Sequence, residues 1–292
     1  MNIFISGSTS ILAAALMEFF FRGGHALYVE DELPDNPLDT LQTVRNKTAG
    51  KTMDLVFLLH AEDIFASRLS RFSLPKKMAD TVVHTETLCK YFASCSVKPR
   101  AIFSASSVHI YRQRQTEKSY DTSPTGTGFA AEFFKQLEAA SAPSRLNTIR
   151  VLDLRLGRLV SPQAPPAYPS LPFRPEAIAT TFHEKSTSIS WVSSEDALRA
   201  IGFLMENEHI DGPVNITSGD ILSRAEFNEI ISRRYRLRRT SPVPAKILRL
   251  FGGKEAECLL LSGSRAVPFK LLEAGFLFED ISLQEYLLGK EP

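Results

Sequence analysis

The chain opens on an unbroken apolar run, NIFIS at 2–6, which reads as a strand buried on both faces. From Ile11 to Arg22 the apolar stretch is long enough for a helix, and the Gly23-Gly24 pair behind it suits a left-handed helix end. ALYVE (26–30), DLVFLLH (54–60), RAIFSAS (100–106) and TIRVLDLRL (148–156) repeat the strand pattern, with helical stretches at 75–95 and 128–141 between them. Buried strands separated by helices predict an α/β, Rossmann-like fold, a doubly wound parallel sheet. After Gly157 the segment SPQAPPAYPSLPFRP ends that rhythm, because prolines at this density cannot serve the interior of a sheet or helix; an extended surface connection is expected. SISWV (188–192), a helix over 194–206 and PVNIT (213–217) read as a return to the sheet, with short helices near 223–235, 244–251 and 268–274. The expected organisation is a nucleotide-binding type of domain over 1–160 with the return segment 188–217. A small, mainly helical C-terminal domain takes 161–187 and 218–292.

Composition narrows the function classes. At 292 residues and 43% hydrophobic content the chain can bury a large core, and 34 basic against 33 acidic residues leave no field to attract nucleic acid or an anionic membrane. The apolar stretch at 11–21 is interrupted by Glu18 and follows no Lys or Arg, so no export signal is expected. No run reaches the length of a membrane helix. Cys89, Cys95 and Cys258 are odd in number and lack metal spacing, which points to free thiols and a cytoplasmic location. The six histidines show no zinc-type spacing, so no metal is expected. The basic run RRYRLRR (233–239) reads as the solvated end of a helix rather than a nucleic-acid surface.

The strand–turn–helix at GSTSILA (7–13) has the build of a phosphate-binding turn but keeps only its first glycine. Taken with SASSVHIY (104–111), SWVSSEDALRAI (190–201), GPVNITS (212–218), PVPAKILRLFGG and VPFKLLEAGFLF (267–278), the chain resembles a known group. It is similar to the nucleoside-diphosphate-sugar epimerase-like branch of the short-chain dehydrogenase/reductase superfamily, the one with a small C-terminal domain of unknown function. The resemblance implies NAD or NADP held at Gly7, Ser8, Thr9, Ser10 and Ile11, with Glu30 on the adenosine ribose, His60 and Ala61 beneath the cofactor, and Ser104 nearby. It implies a small-molecule substrate, a sugar nucleotide or another hydroxyl compound.

The departures fall on the working parts. Ser10 replaces the glycine that admits the pyrophosphate, so it either blocks that approach or contributes its own hydroxyl. Ala13 is a milder change. Where the superfamily places a Tyr-x-x-x-Lys pair this chain has Phe129 and Phe133, and Lys135 falls on another helix face. Ser106 matches the substrate-orienting serine and Tyr111 is a candidate substitute acid; their alternatives are a turn cap and a packed ring. The carboxylates of EDE (30–32) favour NAD over NADP. TTFHEKSTSIS lacks the glycine-rich loop of relatives, and Ser193 stands where they show His. His60 either narrows the groove or makes a new contact. Two readings stay open: an epimerase or oxidoreductase with a degenerate site, and a binding or regulatory protein without turnover, in which the cofactor itself is in question.

Overall fold

The strand-type apolar runs up to residue 156 enter one sheet. The structure, a computed structural model, describes all residues except 32, 34–35, 67–72, 112–116, 165, 167–186, 237–262 and 290–292. The first half of the chain supplies β1 (Asn2–Ser6), α1 (Ile11–Arg22), β2 (Ala26–Glu30), α2 (Pro37–Thr48), β3 (Leu55–Leu58), α3 (His60–Ala66), α4 (Ser73–Ser94) and β4 (Ala101–Ser107). Then come α5 (Phe129–Ala140), α6 (Ala142–Leu146), β5 (Arg150–Leu156), β6 (Arg158–Val160), β7 (Ser188–Ser193), α7 (Ser194–Glu206) and β8 (Gly212–Ile216). Six strands pair in parallel in the order β2-β1-β3-β4-β5-β8. Alternation along these strands divides the core. Ile3, Ile5, Phe57 and Phe103 pack with Leu12, Leu16 and Phe20 of α1, whereas Phe4, Val56, Leu58 and Ile102 pack with Val44 of α2 and Leu88 and Phe92 of α4.

α2 escapes a reading based on hydrophobicity because it buries only Thr40, Val44 and Thr48. Its start is set instead by Asn36, whose side chain accepts from the amides of Leu38 and Asp39, with Pro37 at the first helical position.

The expectation that SISWV returns to the main sheet is corrected. β8 does return, beside β5, but β7 pairs with β6 and with β9 (Ile221–Ser223) in a separate three-stranded sheet. The cause is at Gly157, where a β-carbon would stand 2.8 Å from the Ser190 carbonyl oxygen, so the chain passes directly against β7 as it leaves β5. The small sheet is covered by α8 (Arg224–Arg234) and α10 (Leu283–Leu288), with α9 (Phe269–Glu273) between them in sequence. Val160, Trp191, Phe227, Ile231, Leu283 and Leu287 form its own apolar core, which gives the C-terminal region an independent reason to fold against the sheet. The helix expected at 244–251, Cys258 and most of the proline-rich connection lie outside the described residues.

The strand order places β2 on one side of β1 and β3 on the other. Ligand crevices of open α/β sheets form at such a reversal, above the carboxyl ends of the strands.

Candidate functional site

Gly7 leaves the end of β1 at φ +89°, and a β-carbon there would lie 2.6 Å from the His60 amide nitrogen and 2.9 Å from the Leu59 carbonyl carbon. Only glycine allows this turn to rest on the backbone that follows β3. The Gly7 amide donates to the Glu30 carbonyl at 2.8 Å, so the ends of β1, β2 and β3 meet at one point. Ser10 then caps α1: its hydroxyl accepts from the Ala13 amide at 3.1 Å, and its backbone lies at φ −82°, ψ 160°, an extended conformation that does not require glycine. The Ala14 amide bonds the Ser10 carbonyl. The amides of Ile11 and Leu12 have no acceptor within the helix, and no acidic side chain occupies its first turn, so this end of α1 can hold an anion.

The cap role makes a stability prediction. Ser10→Ala should cost about 1 kcal/mol, whereas Ser10→Gly should cost only a few tenths, because glycine is itself an acceptable cap. Urea unfolding of both variants checks the order of the two effects.

Glu30 does not present its carboxylate to the crevice. The residue is 1% exposed, its Oε2 accepts from the Ser6 hydroxyl at 2.9 Å, and that oxygen lies 3.2 Å from His84 Nε2. This corrects its assignment to a ribose. The exposed neighbour is Asp31, to which the Ser8 hydroxyl donates, while Glu32 lies outside the described residues. His60 makes a new contact: its ring stands edge-on to that of His84, with centroids 5.0 Å apart. Ala61 is buried beside it and Thr9 is exposed. Ser104 is buried in β4, paired in register with Leu58 of β3.

The two residues expected to carry proton chemistry are locked in a different structure. The Ser106 hydroxyl donates to Glu138 Oε1 at 2.8 Å, and Arg155 meets both Glu138 oxygens, each at 2.8 Å. The same guanidinium donates to the Tyr111 hydroxyl at 2.8 Å and to the Asp121 carbonyl at 3.1 Å, and the Tyr111 hydroxyl donates to Asn215 Oδ1 at 2.7 Å. Asp121 closes the ring by accepting from the Asn215 amide at 2.5 Å. Burial pushes the Tyr111 hydroxyl up to about 12, against the pull of Arg155, which is the wrong direction for a group that must exchange a proton near neutrality. Ser106 and Tyr111 are therefore network members, a correction to their candidacy as a substrate-orienting serine and a substitute acid. Sequence alone gave no signal for it, because Glu138, Arg155, Asp121 and Asn215 come from four separate segments.

A second concavity was missed altogether. Val108 and His109 after β4, Arg158, Ser188 and Ser190 of the small sheet and Arg224 of α8 line a small pocket together with Gly263 and Ser264. His109 accepts or donates at Nδ1 to the Ser107 hydroxyl at 2.7 Å. Burial first, then the positive charges of Arg158 and Arg224, hold its imidazole down to about 3. The folded protein thus keeps this ring neutral while the unfolded chain protonates it near its ordinary 6.5. Stability should fall as pH drops from about 6.5 towards 4, since the unfolded state binds more protons there, and His109→Gln should flatten that slope. Urea unfolding of the two proteins across this pH range measures it.

The chain has relatives of the same build. A family model described as a domain of unknown function (DUF1731) matches residues 243–288. An epimerase family protein of Mycobacterium leprae is 29% identical over 208 residues, covering 70% of this chain and 66% of that one, just under two thirds of the relative's length. The Bacillus subtilis epimerase family protein YfhF is 25% identical over 288 residues, 95% of this chain and 94% of its own. Over nearly its whole length the chain is similar to epimerase family proteins. Solved structures agree on the fold of this epimerase-like protein. Human epimerase family protein SDR39U1, solved with NADPH, matches with a TM-score of 0.74 at 17% identity over 99% of this chain and 98% of that one. A nucleoside-diphosphate sugar epimerase from Corynebacterium glutamicum matches at 0.70 and 20% identity, over 99% of this chain and 58% of that one.

In this epimerase-like chain the helix that would carry a proton-relay pair is apolar where it matters. Phe133 is buried and meets Phe134 edge-on at 4.8 Å, and Lys135 pairs with Glu132 at 2.7 Å on the helix surface. Ser193 has a structural duty: it caps α7 by accepting from the Asp196 amide at 2.9 Å and donates to Asp280 at 2.6 Å, tying the C-terminal segment to the small sheet. The basic run is divided. Arg233 faces Glu229 and Arg234 donates to the Pro162 carbonyl, while 237–239 lie outside the described residues.

Proposed function

We propose that this epimerase-like protein binds a nicotinamide dinucleotide across the β1/β3 crevice, with little redox or epimerase turnover. The observation that carries the reading is the Gly7 turn, pressed on the His60 backbone and followed by a capped helix with no acidic residue in its first turn. The pyrophosphate would meet the amides of Ile11 and Leu12, and the exposed Asp31 would take the ribose hydroxyl in place of Glu30. A carboxylate at that position disfavours a ribose phosphate, so NAD is the expected partner ahead of NADP. Bound there, a nicotinamide supplies hydride exchange. The chain's own residues must supply the proton, and Phe129, Phe133 and the buried Tyr111 do not. The free thiols Cys89 and Cys95 and the lack, among the described residues, of any helix able to cross a membrane fit a cytoplasmic protein.

Calorimetric titration of NAD and NADP, followed by turnover assays with UDP-glucose, tests both halves. The expected result is binding of NAD ahead of NADP, with turnover reduced by at least the hundredfold or more that general acid–base catalysis contributes. Failure to bind either dinucleotide overturns the first half. Robust turnover that persists in Tyr111→Phe and Ser106→Ala overturns the second and leaves an active enzyme whose proton donor lies elsewhere.

A further inference from the structure

We propose that Glu30, His60 and His84 form a binding site for a divalent transition-metal ion of the zinc class. Their spacing along the chain gives no hint of it, because one ligand ends β2, one opens α3 and one lies within α4. In the fold their ligand atoms fall within 4.8 Å of one another, and the three residues are 1%, 5% and 2% exposed.

The geometry suits a metal in three respects. His84 Nε2 and Glu30 Oε2 are 3.2 Å apart, close to the edge of roughly 3.3 Å that a tetrahedron with metal–ligand bonds of about 2.0–2.1 Å would have. The far nitrogen of the same ring, Nδ1, lies 3.1 Å from the Thr40 hydroxyl, which is also placed to donate to the Asn36 carbonyl at 3.4 Å. An Nδ1–H donating to Thr40 leaves the Nε2 lone pair directed at the cluster, the arrangement by which an outer hydrogen bond sets a ligating histidine. Finally, Glu30 Oε1 is buried with no hydrogen-bond partner among the described residues. A buried carboxylate with one oxygen unmet is costly, and a cation answers that cost directly.

Two imidazoles and one carboxylate favour zinc, cobalt or nickel over magnesium or calcium, which take oxygen donors. The Ser6 hydroxyl, 2.9 Å from both Glu30 Oε2 and His84 Nε2, ties the cluster to the last residue of β1. The competing occupant of the space between Nε2 and Oε2 is a single proton, giving a buried His84–Glu30 ion pair.

The experiment uses the whole chain, stripped with chelator, reloaded with zinc or cobalt and passed through gel filtration. One equivalent of zinc should remain by elemental analysis, and cobalt should give the intense visible bands of a tetrahedral site. His60→Gln and His84→Gln should each lose the retained metal and the cobalt bands. Thermal unfolding of the metal-free proteins separates lost ligation from lost folding: zinc should raise the midpoint of the wild type and leave that of a folded variant unchanged. Should both glutamine variants fail to fold, the wild-type cobalt spectrum and the zinc-dependent midpoint decide alone. No stoichiometric zinc in the wild type, or zinc held equally by the wild type and both variants, overturns the site and leaves the ion pair.

Discussion

Gly7→Ala should lower the stability of the protein by roughly 2–5 kcal/mol and abolish dinucleotide binding. About 1–2 kcal/mol comes from holding a residue with a side chain in the left-handed region, at φ +89°. A further 1–3 kcal/mol, roughly, comes from forcing the turn away from the His60 amide, 2.6 Å from the added carbon. Gly24→Ala is the control. Gly24 has a similar φ of +71°, but a β-carbon there meets nothing within 4 Å, so it should show the conformational part alone. Urea unfolding of the two variants isolates the close approach. Equal losses would mean that contact between the β1 turn and the β3 backbone does not hold the crevice together.

Arg155→Met should cost about 3–5 kcal/mol, the range for removing one partner of a buried ion pair. The methionine leaves Glu138, 13% exposed, without its bidentate partner, and removes the donor to the Tyr111 hydroxyl and the Asp121 carbonyl. Arg155→Lys keeps the charge but reaches fewer of these acceptors, and should recover only part of the loss. Chemical denaturation measures both. A loss below about 1 kcal/mol for the methionine variant, the value of an exposed pair, would show that the network is solvated and that Tyr111 is freer than its burial indicates.

The skeleton of the fold was legible because periodicity records burial. α1, β2 and α7 begin and end where the apolar runs at 11–22, 26–30 and 194–206 begin and end. β7 was recognised as a strand, but its partners were not, since an apolar strand carries no label for the sheet it will join. α2 was not read at all, its stripe being threonine and a single valine.

At the site, sequence order placed the turn residues Gly7 to Ile11 together and next to the end of β2. It also located Ser106 on a strand and Tyr111 in the turn that follows it. It could not say what those hydroxyls touch. Ser10 was judged against a phosphate, whereas the nearest claim on its hydroxyl is the Ala13 amide of its own helix. Glu30 was judged against a ribose, whereas Ser6 and His84 reach it first.

The sequence by itself determined the class of fold, the position of the phosphate-type turn and the absence of a tyrosine–lysine pair from the helix at 128–141, because each of these is written in neighbouring residues or in a short period. The tertiary structure alone decided which polar groups are spent on one another: Arg155 on Glu138 and Tyr111, Glu30 on Ser6 and His84, His109 beside Arg158 and Arg224. Those partners are brought together by parallel crossovers that join residues 17 to 115 positions apart. The desolvation that makes such contacts strong arises only after the sheet and its helices have closed over them.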